Sequence, residues 1–98
     1  MRKFLSGLAI ASALLAGQAA LAADGTAVYN QACAMCHNNL PPKIGDKTAW
    51  SPLIQKGTDT LVANVIKGQK AMPPRAGKPK LSDDDIKAAV EYIESKSQ

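Results

Sequence analysis

Both cysteines of the chain and its only histidine stand together, as Cys33-Ala34-Met35-Cys36-His37. Two thiols three residues apart share one side of a helical turn, where each can add across one of two neighbouring vinyl groups of a planar ring. A histidine at the next position brings its imidazole to a metal at the ring's centre. This C-x-x-C-H spacing is that of covalent haem c attachment, with Cys33 and Cys36 as tethers and His37 as an axial ligand of the iron. Other chemistries fit less well. A zinc site wants four ligands, and no second cluster is available. A redox-active C-x-x-C pair belongs beside a βαβ pattern, which the sequence lacks. A local disulfide would close too small a loop to constrain much.

The sixth iron ligand must come from the other face of the ring, and with a single histidine it cannot be a second imidazole. Methionine is the natural donor. Met1 belongs to a segment expected to be removed, and Met35 lies between the tethers, so Met72 is left. Pro73 and Pro74 come directly after it and stiffen the backbone that would hold its thioether in place. A His37/Met72 pair favours reduced iron and leaves no position for oxygen, peroxide or substrate. Catalysis is therefore not expected. No separate acid, base or nucleophile cluster appears either, because His37 is committed and the carboxylates fall mostly on the last helix.

The elements that must carry these residues read as helices. Val28, Tyr29, Ala32, Cys33 and Cys36 recur at spacings of three and four, predicting a helix over 25–36 whose apolar face bears both thiols. Pro41-Pro42 and Gly45 mark a loop over 38–46. A short helix over 50–56 is expected next, with Pro52 tolerated in its first turn and Gly57 ending it. Thr58 is expected to cap a further helix with a buried stripe of Leu61, Val62, Val65 and Ile66, stopped by Gly68. The stretch 69–80, which holds Met72, reads as irregular. Ser82 before Asp83-Asp84-Asp85 is an N-cap with an acidic first turn, opening a last helix with Ile86, Ala89, Val90 and Ile93 on one face. There is no alternating strand pattern, repeat or second domain.

The N-terminus has a different character. Met1-Arg2-Lys3, an apolar run from Phe4 to Leu15, and Ala20-Leu21-Ala22 have the three regions of a secretory signal peptide, with cleavage expected after Ala22. The run contains Ser6, Gly7 and Ser12 and is short for a membrane span, so no stable insertion is expected after cleavage. Residues 23–98 then form one domain. A domain of that size buries only roughly 60% of its unfolded surface, so something besides side chains must fill or staple its interior. Loss of Arg2 and Lys3 takes two charges off the formal net +4. With one Trp, two Tyr and no basic run interleaved with aromatics, a nucleic-acid partner is not expected.

These residues together resemble the class I c-type cytochromes, most closely the small bacterial cytochrome c5-like group, over essentially all of 23–98. The resemblance rests on Val28-Tyr29-Asn30-Gln31-Ala32-Cys33, the C-x-x-C-H, Gly45-Asp46-Lys47 with Trp50, Lys67-Gly68, Met72-Pro73-Pro74-Arg75 and Leu81-Ser82-Asp83. It implies an all-α small cytochrome c fold, about four short helices wrapped around one covalently attached haem. The first and last helices would cross near Gly25, Tyr29, Ala89 and Tyr92. It further implies that Trp50 binds the cofactor by donating its N–H to a haem propionate, and that the carbonyl of Pro41 or Pro42 accepts from His37 and orients it. The chain departs from the c5 pattern in a shorter loop after His37 without early glycines. It also carries Lys78 where one member of an extra cysteine pair would stand.

The function expected from these readings is that of a periplasmic monohaem electron carrier. Lys67, Lys70, Arg75, Lys78 and Lys80 bracket Met72 with no acidic residue between 67 and 80. If that loop borders the haem edge, as the resemblance implies, the patch would steer redox partners with acidic docking surfaces. Two alternatives are a dedicated electron-transfer subunit of a periplasmic oxidoreductase and a gas sensor or peroxidase-like enzyme with a labile distal ligand.

Overall fold

Asp24 accepts from the amides of Thr26 and Ala27 at 3.0 and 3.4 Å, and this cap starts the first helix at Gly25. The computed structural model describes residues 23–98; the expected leader, 1–22, lies outside the described residues. Helix α1 (residues 25–37) runs through an α-helical turn Gly25–Val28, a π-helical stretch Tyr29–Cys33 and a second α-helical turn Ala34–His37. Such π stretches are rare and concentrate at functional sites. The wider turn shifts the register of the residues after it relative to Gly25–Val28. Cys33 is buried with Val28 and Tyr29, whereas Cys36 is exposed.

Helix α2 (Lys47–Ile54) starts three residues before the expected position because Asp46 caps it, accepting from Ala49 N at 3.2 Å. Pro52 consequently sits in the second turn, not the first. It removes the bond to the carbonyl of Thr48, an exposed residue. Helix α3 (Thr58–Lys67) is flanked by Gly57 at φ 95° and Gly68 at φ 85°. Gly57 occupies the cap position expected of Thr58, whose hydroxyl instead donates to the carboxylate of Glu94 at 2.9 and 3.1 Å. Helix α4 (Asp83–Lys96) begins as the sequence predicts. Ser82 and Asp85 form a reciprocal capping box, and Ile86, Ala89, Val90 and Ile93 are buried.

The first and last helices cross tightly at Gly25. A Cβ there would fall on the carbonyl of Ala88, 3.0 Å from its carbon and 3.2 Å from Tyr92 Cβ, so only glycine lets the backbones approach this closely. One turn on, the Tyr29 and Tyr92 rings meet with centroids 5.3 Å apart, tilted by 48°. The α1 and α4 residues named for the crossing are therefore in contact as expected. Beyond the helices, the described residues contain one short 3₁₀ turn, Pro74–Gly77, and a single bridge pairing Gln69 with Met72, but no strand. None of the described helices is long and apolar enough to cross a membrane.

The protein core comes in two small pieces. One gathers Val28, Tyr29, Cys33, Trp50, Ala89 and Ile93; the other gathers Leu61, Ile86 and Val90. Residues of both face a shared cavity, which is where a small domain short of core would be completed.

Candidate functional site

The cavity is lined by Val28, Cys33, His37, Val65, Met72, Ala76, Leu81, Ile86, Ala89, Val90 and Ile93. Of the five residues singled out by sequence, Cys33, His37 and Met72 share this cavity. Cys36 and Trp50 do not line it. The walls are otherwise aliphatic, drawn from α1, α3 and α4 and from the segment between α3 and α4.

His37 ends α1, where the loop 38–46 turns back over it. Its Nδ1 lies 2.8 Å from the carbonyl oxygen of Pro42, which resolves the choice between the two prolines. A carbonyl can only accept, so Nδ1 carries the proton and donates it. That fixes the tautomer, orients the ring and leaves Nε2 as the free lone pair. Several contacts hold the loop in this shape. Ile44 N donates to the His37 carbonyl at 2.7 Å, and Gly45 N donates to Ser97 Oγ at 2.9 Å. The Tyr29 hydroxyl donates to Asn38 Oδ1 at 2.6 Å, and burial, then Cys33 and Tyr92 nearby, pushes this phenol up so that it stays a donor.

Trp50 is buried beside the imidazole, its ring centroid 5.6 Å from that of His37. Its N–H, expected at a haem propionate, is donated in this structure to the Lys43 carbonyl at 2.8 Å. The loop passes close to the indole and offers that carbonyl next to the Pro42 carbonyl bound to His37. Trp50 thus braces the loop that orients the proximal ring.

Met72 sits in the irregular stretch between α3 and α4. Its amide and carbonyl pair with those of Gln69 at 2.8 and 2.9 Å, with Lys70 at φ 52° in the turn between them. Gly68 lets this loop fold against itself: a Cβ there would lie 2.8 Å from Pro74 N and 3.1 Å from the Met72 carbonyl oxygen. The loop is strained further on. Arg75 and Ala76 adopt left-handed conformations at φ 54° and 56°, which costs about 1–2 kcal/mol per non-glycine residue. Arg75 is not a free cation. Its guanidinium donates to the Leu81 carbonyl and to Asp83 Oδ1, both at 2.8 Å. Arg75 therefore leaves the expected basic patch, which is reduced to the exposed Lys67, Lys70, Lys78 and Lys80.

The donor set identifies the kind of group this cavity accepts. It offers one imidazole nitrogen, one thioether and one thiol, with no carboxylate. Burial pushes the Cys33 thiol up to about 11, with Cys36 beside it a second cause, so it is neutral at physiological pH. Among the described residues no three His, Cys, Asp or Glu side chains gather into a site for a bare cation. Neutral nitrogen and sulfur donors in an aliphatic cavity suit an iron whose charge is already balanced by a porphyrin.

Comparison with known proteins points the same way. Residues 20–93 match the family model described as cytochrome C oxidase, cbb3-type, subunit III. The chain is 46% identical to cytochrome c-555 of Chlorobaculum thiosulfatiphilum, covering 79% of this chain and 98% of that one. It is 36% identical to cytochrome c5 of Azotobacter vinelandii, over 70% of this chain and 89% of the other. A solved structure described as the electron transfer complex of nitrite reductase with cytochrome c contains a chain 40% identical to this one. The two superpose with a TM-score of 0.73 over 76% of this chain and 94% of that one. With a helical shell around an apolar cavity, a C-x-x-C-H at its edge and relatives of this kind along most of its length, the chain belongs to the class I c-type cytochromes.

Proposed function

We propose that the chain is a periplasmic one-electron carrier, exported by a signal peptide at 1–22, whose haem iron is held between His37 and Met72. The observation that carries this reading is the shared cavity of His37 and Met72, with the His37 Nδ1 proton already given to Pro42. When bound, haem c supplies a reversible Fe(III)/Fe(II) couple. The chain's own part is to hold and shield. Cys33 and Cys36 tether the ring edge. His37 presents Nε2 in a fixed orientation, and Met72 closes the opposite face. Valine, leucine, isoleucine and alanine side chains make up most of the walls, and among the described residues no carboxylate or amine lines them. The relatives are cytochromes by name, and one of similar fold was solved in an electron transfer complex.

The testing measurement is an absorption spectrum, through the far red, of the mature protein made with haem-attachment machinery. A covalently held low-spin haem with a sulfur-to-iron charge-transfer band in the oxidised form is expected. High-spin haem without that band would remove Met72 from the iron, and absence of covalent haem would remove the whole assignment.

Partners are expected to be redox proteins with acidic docking surfaces; the solved relative was caught against nitrite reductase. Lys78 and Lys80, both exposed, stand with Gln31 and Ala32 around one surface hollow, so their positive charges share one patch of surface. Electron-transfer rates with an acidic partner should therefore fall as ionic strength rises from about 0.01 to 0.15 M, where the Debye length shrinks from about 30 to 8 Å. Stopped-flow kinetics of wild type and Lys78→Glu/Lys80→Glu will check this. A salt-independent wild-type rate would sink the steering idea.

A second reading, a dedicated electron-delivering subunit of a larger oxidoreductase, is favoured by the family description, which names an oxidase subunit. Co-purification of the native protein with a larger enzyme separates it from the free carrier.

A further inference from the structure

We propose that Arg75 is a positioning residue that latches the Met72 loop to the start of α4, and so sets how readily the distal face of the haem opens. This rests on the reading of Met72 as the second axial ligand. The segment 69–77 lies along α3 through its 3₁₀ turn but has few hydrogen bonds to hold it there. None of its residues is buried, and its internal bonds close only small turns, Gln69 with Met72 and Ala76 with Pro73. Two successive residues are strained into left-handed geometry. A loop of this kind relaxes outward unless something outside it pulls back.

Among the described residues, Arg75 is the only side chain of 69–77 that hydrogen-bonds beyond the segment. Its anchor points are well placed. Leu81, whose carbonyl receives Nη1, lines the same cavity as Met72. Asp83, which receives Nη2, is the first residue of α4. One guanidinium therefore ties the turn after Met72 to the cavity wall and to the rigid helix behind it.

The two bonds are unequal. The Asp83 side chain is 69% exposed, so that ion pair is screened and weak. The Leu81 bond is partly buried and charge-assisted, and it carries most of the latch. A lysine could satisfy one acceptor but not both in this fork geometry.

The test uses haem-loaded protein and imidazole as the competing ligand. Imidazole replaces Met72 only in molecules whose loop has swung away, so its apparent affinity tracks the open population. In the oxidised protein, loss of the sulfur-to-iron band on imidazole addition is expected to occur at about tenfold lower concentration for Arg75→Ala than for wild type. Arg75→Lys should fall between them, and Asp83→Asn should stay within about twofold of wild type. Far-UV circular dichroism at each titration point should show α1–α4 intact. The same imidazole affinity in wild type, Arg75→Ala and Arg75→Lys, with the band present in all three, overturns the latch alone. A change that appears only where helix content is also lost overturns it too, by reducing Arg75 to a general stabiliser. A wild-type protein without the sulfur band overturns the Met72 ligation and the latch together.

Discussion

Replacing Met72 with alanine in the haem-loaded protein is expected to abolish the sulfur-to-iron band and to let the reduced protein bind carbon monoxide at neutral pH, one per haem. The expectation comes from elimination made physical by the cavity. Among the described residues, Met72 is the only thioether lining it and His37 the only imidazole. Met35, the other methionine among the described residues, is 87% exposed and lies between the two tethers. Removal of the thioether leaves no second thioether and no further imidazole among the described residues that line the cavity to replace it. The midpoint potential should fall, since thioether ligation favours reduced iron. Axial ligation spans roughly 0.8 V across haem proteins, so the shift should be large compared with that of a surface mutation. Loss of a partly buried methionine should also destabilise the fold, by about 1–3 kcal/mol, below the 2–5 typical of full burial. Carbon monoxide titration of the reduced variant and redox potentiometry check both parts. A variant that keeps its band and excludes carbon monoxide would place another ligand on the iron. Wild-type protein that binds carbon monoxide as readily as the variant would favour the sensor or peroxidase-like reading.

The chemistry proposed for this site is read from the sequence because it is local. Cys33, Cys36 and His37 announce themselves by adjacency, and Met72 comes next because so few candidates exist. The last helix is equally plain, since Ser82 and Asp85 form their capping box within four residues and the stripe from Ile86 to Ile93 keeps one period. Contacts between distant residues leave no such trace. The π-helical stretch Tyr29–Cys33 is a change of register, and a spacing pattern read at 3.6 residues per turn averages over it. Thr58 looks like a cap in sequence, but its partner Glu94 lies 36 residues away. Ser97 takes the Gly45 amide across 52 positions, and neither residue type predicts the other. Arg75 groups with the lysines around it in sequence, because charge alone does not reveal that a carbonyl and a carboxylate will claim it. Pro42 is reached only through family resemblance, as one of two prolines. The position of the loop under Trp50 decides between them.

Removing both tethers, Cys33→Ala with Cys36→Ala, is expected to give protein from which all haem is extracted by acidified organic solvent. Its unfolding midpoint should depend on added haem. The size of the effect is set by concentration. A tethered ligand meets its site at an effective concentration on the order of millimolar, whereas a free one in an assay is about micromolar. For binding restricted to the folded state, that thousandfold difference lowers stability by about 4 kcal/mol. Small domains have only about 5–15 kcal/mol in total, and this one divides its core into two small clusters around the cavity, so the double variant should lose most of its margin. The single variants should differ from each other. Cys36 is exposed, and its replacement should cost little beyond one thioether. Cys33 is buried among Val28, Tyr29, Ala89 and Ile93, so Cys33→Ala also gives up core packing and should unfold at the lower denaturant concentration. Denaturant titrations at two haem concentrations distinguish these cases. A double variant with wild-type stability, independent of free haem, would mean that the helices close the cavity without the tethers.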